Sequence, residues 1–214
     1  MRVMDALRFA ADRHAGQKYG GIDGLPSYPY IHHCASVVII LQQFGVTDED
    51  ILMAGACHDV LEDTNTTAWE VEKAIGKRAA EIVELVSNPH EQVVYMQNGI
   101  QWTKLLYEYE SCEFGEIELI ENKKLSRKEK HEIQYPKIAT DEGAVLVKLA
   151  DRIANVETGG KIEMYRKEYE FFRKTIRKQQ SKMDYLNSDL GWPAYCMWEW
   201  LDEKMEWGLT NTAA

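Results

Sequence analysis

The segment Ala54-Gly55-Ala56-Cys57-His58-Asp59-Val60-Leu61-Glu62-Asp63 places one imidazole and three carboxylates within a few residues of one another. On a helix, side chains three and four positions apart share a face. His58 with Glu62, and Asp59 with Asp63, therefore fall along one stripe. Ala54 and Gly55 extend that stripe by a turn with almost no side chain, leaving room for another segment to approach. Leu52, Ala56 and Val60 point the other way, into a core. Three carboxylates packed together repel unless positive charge sits among them. A divalent cation is the economical way to supply it.

Two further segments carry groups that could complete such a site. Tyr30-Ile31-His32-His33 opens a helix after a Gly/Pro-rich stretch. Adjacent helical side chains diverge by roughly 100°, so only one of the two histidines faces a shared metal, and spacing leaves that choice open. The run Val145 to Asn155 is strongly apolar, with Lys148, Asp151 and Asn155 on one face and Leu146, Leu149 and Ile153 on the other. An aspartate in such a helix is costly to bury unless it is paired or metal-bound. Ligation and an ion pair with Lys148 or Arg152 both meet that need.

The elements that must position these residues read as helices nearly throughout. Met4, Leu7, Ala10 and Ala11 make an apolar stripe that stops at Gly16, and residues 16–29, rich in glycine and proline, read as a loop. Ile31 to Phe44 is a helix, Asp48 an N-cap, Thr67-Ala68-Trp69-Glu70 a capping box, and Lys77 to Val86 a further helix. Residues 88–125 stay ambiguous, with Val93 to Met96 and Ile117 to Ile120 forming either a small hairpin or short helices. Helical spacing resumes at Ser126, with a kink or break expected at Pro136. Gly143 to Val156 and Ile162 to Leu186 are two more helices. The aromatic tail (Trp192, Tyr195, Trp198, Trp200, Trp207) serves the core or an oligomer contact, and the core is favoured. The expected fold class is all-α, a single irregular helical domain over residues 1–214.

Bulk properties agree with a single globular domain of 214 residues, 45% hydrophobic and 28% charged. A net charge of −10 argues against a general nucleic-acid binder, while a local basic pocket for a phosphorylated substrate remains compatible with it. Cys34, Cys57, Cys112 and Cys196 form no CxxC pair and read as free thiols. With no apolar run of roughly 18 residues and no signal-peptide core, no membrane partner and a cytoplasmic location are expected.

Four motifs occur in order: Phe9-Ala10-Ala11 with His14-Ala15-Gly16-Gln17, Tyr28-Pro29-Tyr30-Ile31-His32-His33, His58-Asp59-Val60-Leu61-Glu62-Asp63-Thr64, and Lys148-Leu149-Ala150-Asp151 with Asn155. Together they resemble the hydrolase domain of RelA/SpoT homologues, in particular the stand-alone small alarmone hydrolases of the metazoan SpoT homologue type. The resemblance covers most of Leu7 to Val86 and about Ser126 to Asn155. It implies a helical HD-type phosphohydrolase fold, a manganese ion (iron or zinc as alternatives), and removal of the 3′-pyrophosphate from guanosine tetra- or pentaphosphate, the alarmones of the stringent response. It implies His33, His58, Asp59 and Asp151 as metal ligands, which selects His33 over His32. It assigns Glu62 and Asp63 to positioning and activating the attacking water. Asn155 matches a nucleotide-contacting position, Lys148 falls beside the pocket, and Lys18 and Tyr19 occupy the loop that grips base and phosphates. Arg166 and Tyr169, beyond the matched region, are further pocket candidates.

The chain departs from that pattern in five places. Tyr19 stands where an arginine is usual, and could stack on a base in its stead. Cys34 replaces a proline and Ala154 a tyrosine. An insertion at about 89–124 is longer than the family's, and a helical extension covers about 160–214. These departures keep two alternatives in view: the same chemistry on another nucleotide (the 2′-phosphate of NADPH, or a pyrophosphorylated RNA end), and a non-enzymatic, antitoxin-like binding module. A second copy of the chain or a toxin are the corresponding partner options.

Overall fold

A computed structural model describes residues 2–20, 27–106, 118–157, 162–177 and 188–206. Local signals fix most helix starts. Helix α1 (Arg2–Arg13) is followed by Gly16 at φ +83°, and α2 (Ile31–Gln43) begins directly after Tyr30. The Asp48 carboxylate accepts from the backbone N–H of Asp50 (2.8 Å) and Ile51 (3.2 Å) to open α3 (Glu49–Cys57). A short turn of helix, α4 (Val60–Asp63), follows. Reciprocal capping boxes, Thr67 with Glu70 and Ser126 with Glu129, open α5 (Ala68–Ile75) and α7 (Arg127–Ile138). The remaining helices are α6 (Lys77–Val86), α8 (Glu142–Glu157), α9 (Ile162–Ile176) and α10 (Gly191–Lys204). Pro136 sits inside α7 without ending it.

Helices α2, α3 and α8 pack on one another at the centre, with α1 and α6 against α3 and α10 against α8. A Cβ on Gly55 would lie 2.6 Å from Leu41 Cδ1, so the missing side chain sets how closely α3 approaches α2. Most of α8 is buried, including Asp151, Arg152 and Asn155 among Leu146, Leu149 and Ile153. The aromatic tail splits by position. Trp198, Met197 and Leu201 are fully buried, whereas Trp192 is half exposed and stacks on Tyr195. Trp207 and Cys112 lie outside the described residues, as does the end of the helix expected to reach Leu186.

The all-α expectation is corrected: the chain is mainly helical but carries two small antiparallel sheets. Strands β1 (Lys18–Gly20) and β2 (Ser27–Pro29) pair Tyr19 with Tyr28, inside the stretch expected to be a loop. Strands β3 (Glu91–Gln97), β4 (Ile100–Leu106) and β5 (Glu118–Lys124) form a second sheet in the order β4-β3-β5. Asn98 (φ 52°) and Gly99 (φ 76°) make the two-residue turn between β3 and β4, the left-handed pair that a right-twisted hairpin selects. Val93 and Leu106 are buried, while Ile100, Trp102, Leu119 and Ile120 face solvent. No described helix is long and apolar enough to cross a membrane.

The position of α10 against the helix that carries Asp151 has a measurable consequence. Trp198→Ala should lower the unfolding free energy by about 3–5 kcal/mol, as expected for a fully buried tryptophan. Trp192→Ala should change it by less than about 0.5 kcal/mol. Chemical denaturation of both variants checks the pair.

Candidate metal centre and catalytic site

The helix carrying His58 and Asp59 does not run straight through. It stops at Cys57, and Asp59 adopts φ −102°, ψ −3° before α4 resumes. That interruption lets two adjacent side chains meet at one point, which a regular helix forbids. His58 Nε2 lies 2.9 Å from Asp59 Oδ2. His33, in the first turn of α2, brings its Nε2 to 3.2 Å from His58 Nε2 and 3.6 Å from Asp59 Oδ2. Asp151 Oδ1, from α8, lies 3.3 Å from His33 Nε2 and 3.7 Å from His58 Nε2. His32 points outward, exposed and stacked on Tyr28.

His58 and Asp151 are held from behind. A carbonyl oxygen can only accept, so the 2.9 Å contact of His58 Nδ1 with the Gly55 oxygen puts hydrogen on Nδ1. In the neutral ring Nε2 then offers a lone pair to the cluster. Asp151 accepts from Lys148 Nζ (3.0 Å) and from Asn155 Nδ2 (2.6 Å). Burial works against charge on His58, Asp59 and Asp151, and attraction among the site's opposite charges outweighs it. Asp59 is held below its ordinary range by His58 and His33, and Asp151 by Lys148 and both imidazoles. His58 is pushed well above its usual value, because Asp59 and Asp151 overcome its desolvation. Two carboxylates and two imidazole nitrogens thus converge where positive charge is required. A proton on His58 can supply it, and so can a divalent cation accepting all four lone pairs. The mixed nitrogen and oxygen donors, fairly hard, fit Mn²⁺, Fe²⁺ or Zn²⁺.

Glu62 and Asp63 lie beside this cluster but are anchored apart. Glu62 Oε2 accepts from the Asn88 backbone N–H (3.0 Å) and Nδ2 (3.0 Å). Burial and Asp59 push its carboxyl upward, against the opposing pull of Lys148. The Tyr30 hydroxyl lies 2.7 Å from Asp59 Oδ2 and 2.9 Å from Asp63 Oδ2. It has one hydrogen to give, so full use of both contacts calls for a proton on one carboxyl. Asp63 is the one, pushed up to about 7 by burial with Asp59 and Glu62 nearby.

A cavity of about 420 Å³ opens over these groups. Of the residues expected to bind substrate, Lys18, Tyr19, Lys148 and Asn155 line it. Arg166 does not: its guanidinium pairs with Glu163 (2.7 Å) and Glu206 (2.9 Å) away from the cavity. Tyr169 is likewise turned to Asp202 (2.7 Å). Tyr19 lines the cavity without standing free in it, since its ring lies parallel to His33 with centroids 4.4 Å apart. Sequence reasoning missed Asn88, Arg127, His131, Arg152 and Tyr165, which complete the wall. Arg152, next to Asp151, is held by Tyr135 Oη (3.0 Å) and by the rings of Tyr165 (4.1 Å) and Phe172 (4.3 Å). Arg127 is braced by Glu168 (3.0 Å). His131 is held down to about 3 by burial and Arg127, and is neutral near pH 7. The only sequence signal for this wall was the Arg after Asp151 and the basic start of α7.

Comparison with known proteins places this geometry in context. A family model described as "HD domain" matches residues 6–170. The chain is 36% identical over 87 residues to the guanosine-3′,5′-bis(diphosphate) 3′-pyrophosphohydrolase MESH1 of Danio rerio, covering 40% of this chain and 47% of that protein. It thus spans about half the length of that relative. To the protein of the same name from Mus musculus it is 32% identical over 156 residues, covering 72% of this chain and 68% of the mouse protein. A solved structure described as a metazoan orthologue of SpoT that hydrolyses ppGpp superposes with a TM-score of 0.56 at 22% identity, over 92% of this chain and 94% of that one.

Two outcomes follow from the site's geometry. His33→Ala and Asp151→Ala should each abolish binding of one divalent ion per chain, whereas His32→Ala should retain it, as elemental analysis or titration calorimetry would show. In metal-free protein, Asp63 binds its proton more tightly folded (about 7) than at the ordinary 3.8. Its contribution to stability is therefore full below about pH 4 and lost as pH rises through about 7. The stability of metal-free wild type relative to Asp63→Asn should fall over that window, measured by denaturation in chelator.

Proposed function

Because the chain belongs to the HD-domain family, and to the family of the mouse MESH1 pyrophosphohydrolase, we propose that it is a manganese-dependent phosphohydrolase. In this reading it removes the 3′-pyrophosphate from guanosine tetra- or pentaphosphate. The observation that carries it is the convergence of His33, His58, Asp59 and Asp151 beside two further carboxyls in a cavity with a cationic wall. When bound there, the divalent ion supplies Lewis acidity and lowers the pKa of water.

The chain's own residues divide the remaining work. Lys18, Lys148, Arg127 and Arg152 present positive charge to the phosphates and to charge developing on their oxygens. Glu62, fixed by Asn88, accepts the proton of the attacking water as its oxygen bonds to phosphorus. Asp63, which holds a proton near neutral pH, returns one to the ribose oxygen as its bond to phosphorus breaks. Tyr30 keeps Asp63 in register with Asp59.

A second reading keeps the chemistry and changes the nucleotide, to the 2′-phosphate of NADPH or a pyrophosphorylated RNA end. It is favoured by Tyr19, whose ring lies on His33 instead of being offered to a base. Turnover of guanosine tetraphosphate, NADPH and a nucleotide panel with Mn²⁺ separates the two.

Glu62→Gln preserves volume and removes the proton acceptor. It should keep the bound metal and lower kcat by roughly 100-fold or more. Near-normal kcat with metal bound would reject this assignment of the base.

A further inference from the structure

The two histidines of the cluster are supported in different ways. His58 is anchored through Nδ1 to the Gly55 carbonyl. His33 Nδ1, by contrast, is buried with no hydrogen-bond partner among the described residues. A histidine that ligates a metal almost always fixes its ring through the second nitrogen. Among the described residues, ring contacts and not a hydrogen bond at Nδ1 orient His33.

Tyr19 is placed to do so. Its ring covers one face of His33, with centroids 4.4 Å apart and planes 15° from parallel, while Tyr30 meets His33 edge-on at 5.8 Å. The same tyrosine donates its hydroxyl hydrogen to Asn155 Oδ1 at 2.8 Å. Asn155 in turn donates Nδ2–H to Asp151 Oδ1 at 2.6 Å and to the Asp151 carbonyl at 2.9 Å. A carboxylate can only accept, so Asn155 must turn its NH₂ toward Asp151 and its oxygen toward Tyr19. The Tyr19 hydroxyl then donates to the amide oxygen and holds the side chain that supports the ligand. The scaffold that holds Tyr19 is short and direct. It sits in β1 opposite Tyr28 of β2, and Tyr30, one residue beyond β2, donates its backbone N–H to Gln17 (3.1 Å) just ahead of His33.

We infer that Tyr19 is a positioning residue of the metal centre, clamping His33 of α2 with its ring and Asp151 of α8 through Asn155. Two ligands from separate helices are thereby tied to one side chain of the β1–β2 hairpin. Tyr19 and Asn155, which the sequence pattern assigns to nucleotide contact, are on this view committed to ligand geometry. The inference rests on the metal-centre reading of the proposed function, but not on which nucleotide is hydrolysed.

The test is calorimetric titration of metal-free protein with Mn²⁺, for wild type, Tyr19→Phe, Tyr19→Ala, Asn155→Ala and the Tyr19→Phe/Asn155→Ala double variant. Circular dichroism of each verifies folding. Tyr19→Ala should weaken Mn²⁺ binding by roughly 10–100-fold, the usual cost of losing an outer-shell partner. Tyr19→Phe, which keeps the ring on His33, should lose less and remains informative if the alanine variant fails to fold. Tyr19→Phe should cost nothing further once Asn155→Ala has removed the relay, a non-additivity that a general loss of stability would not produce. With saturating Mn²⁺, KM should stay within about twofold of wild type. Unchanged Mn²⁺ affinity in the Tyr19 variants, or additive losses in the double variant, would overturn the clamp. A raised KM with intact metal affinity would make Tyr19 a base platform instead. Wild-type protein that binds no Mn²⁺ would overturn the metal-centre reading and the clamp together.

Discussion

Two carboxylates and two imidazoles converge in the interior, each imidazole Nε2 lying between 2.9 and 3.7 Å from both carboxylates, and such a cluster demands positive charge at its centre. Buried acids of this kind repel and lose solvation unless a cation or proton compensates. The surrounding fold can be understood as the scaffold that keeps the four groups together against that cost. Gly55 admits α2 close to α3, which brings His33 toward His58. The break after Cys57 turns His58 and Asp59 to one point. Burial of α8 on nearly every side, with α10 packed against it, fixes Asp151 in depth.

What was legible in the sequence was local. The His-Asp pair, the acidic residues one turn later and the Asp within an apolar helix are chemistry written at short spacing. The capping residues Asp48, Thr67 and Ser126 are equally local, and they begin helices where expected. A regular-helix reading put His58, Asp59, Glu62 and Asp63 on one stripe. The structure instead breaks the helix and ties Glu62 to Asn88 and Asp63 to Tyr30, contacts that cross between elements and leave no periodic trace. Arg166 was a pocket candidate beyond the region of family resemblance, yet acidic partners on its own helix and near the end of α10 claim it. The three-stranded sheet did leave a signal: Asn98-Gly99 is a strong hairpin dipeptide, flanked here by β-branched and aromatic residues.

The electrostatics divide the acids by task. Asp59 and Asp151 are kept ionised by the imidazoles and Lys148, the state that metal ligation would require. Glu62 and Asp63 are pushed the other way by burial and by Asp59, Asp63 up to about 7. Neighbouring carboxyls are thus divided between two held ionised and two pushed toward the protonated form. Arg127, Lys148 and Arg152 line the cavity together with its carboxyls in a chain whose net charge is −10, so local basic groups coexist with an acidic whole.

The central claim is that the four groups are ligands of a single ion, and diffraction can address it directly. Crystals grown with Mn²⁺ should give one anomalous peak at the manganese edge. It should lie roughly 2.0–2.3 Å from His33 Nε2, His58 Nε2, Asp59 Oδ2 and Asp151 Oδ1, the range for nitrogen and oxygen ligands of such ions. No peak there, or a peak that leaves His33 or Asp151 outside bonding distance, would contradict the account.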